Sequence, residues 1–348
     1  MTNPSKNAPR LAVSIGCPSG VGPEISVVAS LAVAKEGMRV ILVGDLGALT
    51  RAAAVTGVPW SAVPVVRDRD ALSSCSSPVC VFAPVADLAP SEREPGRPCP
   101  AGGQAQLAWV DQATDLVVDK LADAIVTGPV SKDVIARSGA PGAESFRGHT
   151  EHIARRVGAP APIMIFVAED MAVALVTTHL QLRRVADAIT QDKVVEATVR
   201  CAETAHGLGK RPARVVVAAL NPHAGEHGLL GYEDDEVIAP AVSASRERLT
   251  ALGIEAIVDG PAPAEAAFRI AFDGGYDGVV AMYHDQGTIP MKVRYFGRAV
   301  NVTAGLPIVR TSVDHGTAYD IAGKGRADAS SMVEAMRLAA RLAAQRRT

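Results

Sequence analysis

The chain has 348 residues, and its 35 Lys and Arg residues nearly balance its 37 Asp and Glu residues, for a formal net charge of −2. This length predicts about two domains with a sizeable core, at roughly 150 residues per domain. Because the balanced charge gives no overall electrostatic footprint for nucleic acid or for an anionic membrane, we expect neither as a partner and favour a small molecule.

Short runs rich in β-branched residues alternate with helical patterns along the chain. The strand-like runs are residues 11–15, 40–44, 124–128, 162–168, 172–178, 214–220 and 278–283. The helical patterns are residues 23–37, 103–122, 190–209 and 235–253, with a final helix at about 329–345. Such alternation predicts an α/β fold with a mostly parallel sheet. The runs 162–168 and 172–178 are expected to form a hairpin, and residues 84–102 a surface loop or a crossover.

The first glycine-rich loop, IGCPSGVGPEI (15–25), lies between a strand and a helix. Its glycines at 16, 20 and 22 lack the GxGxxG spacing of a dinucleotide fingerprint. Pro23 suits the first helical turn, and Glu24 interacts favourably with the positive end of the helix dipole. Two interpretations stay open: a well-formed strand–helix turn, or bare backbone that lets a cofactor approach closely.

Three histidines, His179, His223 and His284, each come soon after a strand-like run. The carboxyl ends of parallel strands line one edge of a sheet, where ligands of α/β proteins bind. Taken alone, each histidine is better explained as a polar turn residue. Three imidazoles at equivalent strand ends, with a fourth position open, instead favour a catalytic divalent metal site. Asp285 either orients an imidazole or is a solvated loop acid.

Residues that suit an anion occur in two further segments. His149 and Thr150 lie at a predicted turn into a helix, where Thr150 is either an N-cap or, with His149, part of an anion site. Lys292, Asn301 and Arg310 lie in a segment predicted to have little helical character. A lysine or arginine there is either a solvated surface charge or a ligand for phosphate or carboxylate.

The five cysteines and the N-terminus bear on the compartment. The cysteines are odd in number and lack the paired CxxC spacing of a zinc site: Cys17, Cys75, Cys80, Cys99 and Cys201. The first ten residues are polar, unlike a signal peptide, and no run reaches the roughly 18 apolar residues of a spanning helix. We therefore expect a cytoplasmic protein with reduced thiols.

Long strings of mixed polar and glycine residues make the sequence similar to a known family. They include LNPHAGEHGLLGYEDDE, AMYHDQGTIPMK and FGRAVNVTAGLPIVRTSVDHGTAYDIAGKG, in one order within about residues 11–335. These strings closely resemble the 4-hydroxythreonine-4-phosphate dehydrogenase family of pyridoxal phosphate biosynthesis. GVGPE and HGTAYDIAGKGRAD also resemble loops of the isocitrate and isopropylmalate dehydrogenases, the broader fold group of that family.

The resemblance implies a fold and a domain organisation. The fold is α/β and isocitrate/isopropylmalate dehydrogenase-like, with two α/β/α subdomains and a cleft between them. Residues 1–148 plus 293–348 are expected to form a discontinuous cofactor-side domain. Residues 149–292 are expected to form the domain for metal, substrate and dimerisation, in a homodimer with its active site at the subunit interface.

Site residues carry over from the resemblance position by position. The implied catalytic residues are His179, His223, His284 and Lys292, and the three histidines are the implied metal ligands, contributed across the dimer interface. The implied substrate-binding residues are His149, Thr150, Lys292, Asn301, Arg310 and Glu265. The implied cofactor-binding residues are Gly20, Gly22, His315, Gly316, Thr317, Ala318 and Asp328.

The implied reaction is the metal- and NAD(P)-dependent oxidation of 4-phosphohydroxy-L-threonine in pyridoxal 5'-phosphate biosynthesis. Hydride passes from C3 to NAD or NADP, and the resulting β-keto acid loses carbon dioxide to leave 3-amino-2-oxopropyl phosphate. One divalent ion, zinc, magnesium or cobalt, is expected to act as the Lewis acid.

Two departures from the family pattern leave other functions open. Cys17 stands for the acidic residue of G(D/E)PAG, with Ser19 for its alanine, and PAEA, with Glu265 and Ala266, stands for PADT. A lost hydrogen-bonding group can change discrimination between substrates roughly 10⁴-fold. One alternative is the same chemistry on D-threonate or D-erythronate 4-phosphate. The other is a non-catalytic paralogue that binds a metabolite.

Overall fold

The computed structural model describes residues 8–84 and 87–347 of the chain. The chain divides into two compact units: unit 1 comprises Met1–Pro162 and Leu306–Thr348, and unit 2 comprises Ile163–Gly305. Unit 1 is therefore discontinuous in sequence, because the chain leaves it after residue 162 and returns at residue 306.

In unit 1, all the strands that pair with one another run parallel, in the order β3-β4-β2-β1-β5-β12. Their bounds are β1 Arg10–Ser14, β2 Arg39–Val43, β3 Val65–Val66, β4 Val79–Phe82, β5 Ala124–Thr127 and β12 Val309–Ser312. The helices are α1 Gly22–Lys35, α2 Leu46–Thr56, α3 Arg69–Ser74, α4 Pro100–Val118, α5 Lys132–Ala136, α6 His149–Arg156 and α12 Ser330–Arg347. Short 3-10 turns occur at Pro90–Arg93 and Ala143–Ser145.

In unit 2, the strand order is β11-β6-β7-β10-β8-β9, and β7, β10, β8 and β9 run parallel. The strands are β6 Ile163–Ala168, β7 Met171–Leu175, β8 Ala213–Ala218, β9 Ala256–Ala262, β10 Gly278–Ala281 and β11 Val300–Ala304. The helices are α7 Val185–Ala188, α8 Gln191–Gly207, α9 Ala239–Ala251, α10 Ala264–Phe272 and α11 His284–Tyr295. Short 3-10 turns occur at Leu182–Arg184 and Pro222–Glu226, and a π-helical turn, Asp234–Ile238, leads into α9.

The predicted α/β alternation is confirmed. Each predicted strand and helix overlaps an element of the same type, and β6 and β7 form the predicted antiparallel hairpin. The helix predicted over 235–253 begins with the π-helical turn before it becomes α9. The segment from Lys292 to Arg310 has little helical character, as predicted, apart from the last turn of α11, which contains Lys292 and which the sequence did not predict. Gly287 and Pro290 inside this helix hide its periodicity in the sequence.

The core of unit 2 explains where its strands end. Val173 and Leu175 of β7 are buried beside Val279 and Ala281 of β10, and Met291 of α11 packs on the same cluster with no exposed surface. Strands buried on both faces by helices require near-continuous apolar runs, which stop where polar residues begin. The polar segments that follow these strands therefore leave the sheet at one edge.

Within the described residues, no helix has both the length and the apolar character needed to cross a bilayer.

Candidate active site

The three histidines predicted as metal ligands follow three neighbouring strands of unit 2. β10 pairs in parallel with β7 on one side and with β8 on the other. His179 comes after β7, His284 is the first residue of the helix that follows β10, and His223 lies in the 3-10 turn after β8. All three thus leave the sheet at the carboxyl edge of adjacent parallel strands, where ligands of α/β proteins bind.

His179 and His284 approach each other closely. Their ring centroids are 5.7 Å apart, with an angle of 41° between the ring planes. Nδ1 of His284 lies 2.6 Å from Oδ1 of Asp285, which accepts its hydrogen bond, and the Thr288 hydroxyl lies 3.5 Å from the same nitrogen. These contacts orient the His284 ring so that Nε2 is the nitrogen available to a cation, as carboxylate partners do for metal-bound histidines.

His223 is held in an unusual backbone conformation. The five consecutive residues from His223 to His227 all have positive φ angles, between 46° and 79°, and only Gly225 among them is a glycine. The base of this left-handed turn is fixed by Asp234, which is fully buried and accepts hydrogen bonds from the backbone N–H groups of Leu220 (2.7 Å) and Asn221 (3.0 Å). Backbone strain of this kind concentrates at functional sites.

The donor set fits a divalent cation, but one chain does not complete it. Among residues 8–84 and 87–347, no group of three or more His, Cys, Asp or Glu side chains is placed to hold a metal ion. The structure brings His179 and His284 together and leaves His223 outside that pair. Two imidazoles, one of them oriented by a carboxylate, are a suitable start for a zinc or cobalt site that needs at least one further ligand.

Arg310 is the centre of a second cluster, which lies in unit 1. Its side chain is 2% exposed, and the guanidinium donates to the hydroxyl of Thr127 (2.7 Å) and, at longer range, to that of Thr150 (3.5 Å). Burial lowers the pKa of Arg310 to about 10, and the carboxylate of Glu151 opposes this shift. A buried cation whose charged form is disfavoured by its surroundings gains from an anion bound beside it.

His149, the first residue of α6, adds a neutral donor or acceptor to this cluster. Burial lowers the pKa of His149 well below its usual value, and the charges of Arg310, His152 and Lys132 lower it further. Its Nε2 atom is buried and has no hydrogen-bond partner. An unpartnered buried nitrogen beside a cation and a helix N-terminus fits a phosphate oxygen as the missing partner.

Lys132 is a cluster member that the sequence interpretation did not single out. It begins α5, directly after the loop that follows β5, and a Cβ atom placed on Gly148 would lie 3.6 Å from its Nζ. Its position in the sequence could have identified it, because a lysine soon after a parallel strand lies at the ligand-binding edge of the sheet.

The remaining predicted substrate residues lie in unit 2. Lys292 is exposed in the last turn of α11, and Glu265 is exposed in the first turn of α10. Asn301 lies in β11, and its side-chain Oδ1 is buried without a hydrogen-bond partner. An unsatisfied buried amide oxygen calls for a donor from a ligand or a water molecule.

The glycine-rich loop packs against the late loop of unit 1. A Cβ atom on Gly20 would lie 2.7 Å from the carbonyl oxygen of Thr317, and one on Gly22 would lie 2.1 Å from that of Ile15. Packing within the chain therefore explains the need for both glycines. Glu24, which is 3% exposed, accepts hydrogen bonds from the N–H groups of Gly323 (2.6 Å) and Gly325 (3.1 Å), and so anchors the late loop to α1.

The other predicted cofactor residues lie along the late loop. His315 and Gly316 are exposed, Thr317 accepts from the Val21 N–H group at 2.9 Å, and Ala318 has a φ angle of +44°. Asp328 accepts from the N–H group (2.9 Å) and the hydroxyl (2.6 Å) of Ser330 at the start of α12, and these bonds lower its pKa.

Cys17 lies in the same region and is not a reactive thiol. It is 1% exposed, its Sγ atom lies 3.4 Å from the phenol oxygen of Tyr319, and burial raises its pKa. In the family pattern that this sequence resembles, the same position carries an acidic residue. In this chain it carries a neutral thiol in contact with the phenol of Tyr319.

Comparison with known proteins agrees with the resemblance found in the sequence. The family model of the pyridoxal phosphate biosynthetic protein PdxA matches residues 36–339. The 4-hydroxythreonine-4-phosphate dehydrogenase of Chromobacterium violaceum is 44% identical over 336 residues, which cover 96% of this chain and 97% of the relative. That of Geobacter metallireducens is 41% identical over 339 residues, 96% of each chain. A solved structure of the Klebsiella pneumoniae enzyme is 35% identical, with a TM-score of 0.81 over 97% of this chain and 99% of that one.

Proposed function

The chain belongs to the pyridoxal phosphate biosynthetic protein PdxA family, and we propose that it is a 4-hydroxythreonine-4-phosphate dehydrogenase. It oxidises 4-phosphohydroxy-L-threonine with NAD or NADP as the hydride acceptor, and the β-keto acid loses carbon dioxide to give 3-amino-2-oxopropyl phosphate. The observation that carries this proposal is the buried cluster around Arg310, because it suits the phosphate of such a substrate.

In unit 1, the cluster binds the phosphate. Arg310 supplies a fixed positive charge, and its planar guanidinium can donate two parallel hydrogen bonds to phosphate oxygens. Because burial keeps the pKa of His149 low, this imidazole is neutral near pH 7 and pairs with a phosphate oxygen through a hydrogen bond rather than a charge. Thr150 and Lys132 add a hydroxyl and a second cation. A non-phosphorylated substrate would leave this buried set unsatisfied, which favours phosphorylated acids over other alcohols.

In unit 2, the histidines hold one divalent ion. When bound, this ion supplies Lewis acidity that lowers the pKa of the substrate hydroxyl. His179 and His284 present their imidazoles from adjacent strand ends, and Asp285 fixes the ring orientation of His284. Nitrogen donors favour zinc or cobalt over magnesium, which prefers oxygen ligands. Lys292 and Asn301 contact the substrate, and residues 315–318 with Asp328, Gly20 and Gly22 form the cofactor side.

The active unit is a homodimer to which both protomers contribute histidines. Each segment that carries a histidine also carries exposed apolar side chains. They are Leu182 (72% exposed) after His179, Leu229 (79%) and Tyr232 (64%) after His223, and Ile289 (59%), Val293 (83%) and Phe296 (86%) after His284. Exposed apolar side chains on all three segments support an interaction surface here, and a second copy would bury them while supplying the ligand that one chain lacks. The free thiols of all five cysteines support a cytoplasmic location.

An NADH-appearance assay tests the proposal. Metal-free enzyme is supplied with 4-phosphohydroxy-L-threonine and NAD or NADP, with and without zinc or cobalt. We expect turnover only with metal, and loss of turnover on chelation. Turnover with D-threonate or D-erythronate 4-phosphate but not with phosphohydroxythreonine would reassign the substrate. Ligand-induced thermal stabilisation without turnover of any of these acids would reject an enzymatic function.

A further inference from the structure

A chain of hydrogen bonds links the three strand ends that carry the histidines. The N–H group and the hydroxyl of Thr177 both donate to the carbonyl oxygen of Met282, at 3.1 and 2.8 Å. The N–H group of Met282 donates to Oε1 of Gln286 at 2.6 Å. Nε2 of Gln286 in turn donates to the carbonyl oxygen of Ala219 at 2.8 Å.

The positions of these residues connect the chain of bonds to the candidate metal ligands. Thr177 lies two residues before His179, Met282 two before His284, and Ala219 four before His223. The regular pairing of β7 with β10 ends at Leu175 and Ala281, and that of β8 with β10 ends at Val217 and Val280. Beyond these points, the backbone N–H groups of Val176 and Thr177 still donate to the carbonyl oxygens of Ala281 (2.9 Å) and Met282 (3.1 Å), and the side chains of Thr177 and Gln286 add further bonds.

We propose that Thr177 and Gln286 are positioning residues. Their hydrogen bonds fix the positions of the three histidine-bearing strand ends relative to one another. This inference rests on the proposed histidine metal site. Metal ligands must be held within about 0.5 Å of their productive geometry, and that precision comes from the groups around them. Thr177 is 5% exposed and Met282 is fully buried, so water does not readily replace the lost bonds.

Two nearly isosteric variants remove the side-chain bonds of this connection, and the backbone bond from Thr177 to Met282 remains in both. Thr177→Val deletes the hydroxyl and keeps the branched shape, while Gln286→Met deletes both the acceptor for Met282 and the donor to Ala219. Thr177→Ser keeps the hydroxyl and serves as the conservative rescue. No titratable group is added or removed by these changes, so the charge beside the histidines is constant.

Matched controls remove hydrogen bonds of the same type elsewhere. In Thr198→Val the lost hydroxyl is fully buried and donates to the carbonyl oxygen of Val194 within α8, at 2.7 Å. In Gln104→Met the lost amide donates to the carbonyl oxygen of Ser138 in unit 1, at 2.8 Å. These controls report what loss of a comparable bond does to folding alone.

The test is cobalt titration of metal-free, full-length protein, followed by the d–d absorption spectrum and by calorimetry, with the melting temperature measured on the same samples. We expect Thr177→Val and Gln286→Met each to weaken cobalt binding about 10- to 100-fold and to alter the spectrum. Thr177→Ser, Thr198→Val and Gln104→Met should bind cobalt like the unmodified protein, whatever their melting temperatures.

Three results would overturn the inference. Cobalt affinity and spectrum unchanged in both Thr177→Val and Gln286→Met would show that the bonds do not position the ligands. Equal weakening in the Thr198→Val control would assign the effect to general stability. Failure of the unmodified protein to bind cobalt would instead reject the proposed metal site itself, and the inference with it.

Discussion

The imidazole rings of His179 and His284 lie with their centroids 5.7 Å apart at the ends of two adjacent parallel strands. Residues 105 positions apart in the sequence meet there because β7 and β10 are neighbours in register, with Leu175 opposite Ala281. The two histidines form an incomplete metal site, because His223 of the same chain does not join them in a group of three ligands among the described residues. In the proposed homodimer, a histidine of the second protomer would complete the site.

Mixing inactive variants tests the shared site. We expect at least one pair among His179→Ala, His223→Ala and His284→Ala to regain activity when the two proteins are unfolded and refolded together. If two ligands come from different protomers, half of the random dimers have one intact site, which gives about a quarter of the unmodified activity. Ligands from the same protomer do not complement. Absence of complementation in all three pairs, with dimers formed, contradicts a shared site.

Replacement of Arg310 tests the phosphate cluster. We expect Arg310→Met to lower kcat/KM at least about 30-fold, or about 2 kcal/mol, because a buried charged donor to the phosphate is lost. Inorganic phosphate should raise the melting temperature of the unmodified protein but not of this variant. Arg156→Met is the control, since that guanidinium already pairs with Asp115 through two bonds of 2.8 Å. An equal phosphate response in all three proteins would contradict the assignment.

The depressed pKa of His149 predicts a pH dependence of stability. In the unfolded chain this histidine takes up a proton as the pH falls through about 6.5, whereas the folded chain resists protonation, so folding is not penalised well above pH 6.5 and stability is lost as the pH falls through and below that value. Between pH 7.5 and 5.5, the unmodified protein should therefore lose more unfolding free energy than His149→Gln, by on the order of 1 kcal/mol. Urea unfolding measures the difference, with His206→Gln as the control. Parallel losses in His149→Gln and the unmodified protein would contradict it.

Because the turn from His223 to His227 is left-handed, we expect a glycine at position 227 to give a more stable protein than an alanine. His227 has a φ angle of +55°, which costs about 1 kcal/mol for any residue with a Cβ atom. We expect His227→Gly to be more stable than His227→Ala by about that amount, as measured by denaturant unfolding. Glu247, exposed within α9, provides the opposite case, because its glycine variant should be less stable than its alanine variant. If the stability difference between the glycine and alanine variants had the same sign at both positions, the result would count against a strained turn.

Much of this architecture follows from the sequence because its signals are local. The apolar runs that became β7, β8 and β10 are continuous and end at polar residues, so the histidines could be assigned to strand ends. α11 was missed because Gly287 and Pro290 interrupt its pattern. The burial of Arg310 was not predictable, since β12 is a short run of mixed polarity whose cover comes from distant elements. Gln286 reaches Ala219 across 67 positions, a contact that no local pattern encodes.

X-ray diffraction recorded on both sides of the zinc absorption edge, from crystals of the zinc-loaded protein, locates the ion directly. We predict one anomalous peak per protomer, at about 2.1 Å from an imidazole nitrogen of each of His179, His223 and His284, with the three residues drawn from two protomers. A peak bound by other residues, or no peak at stoichiometric zinc, would contradict the histidine site.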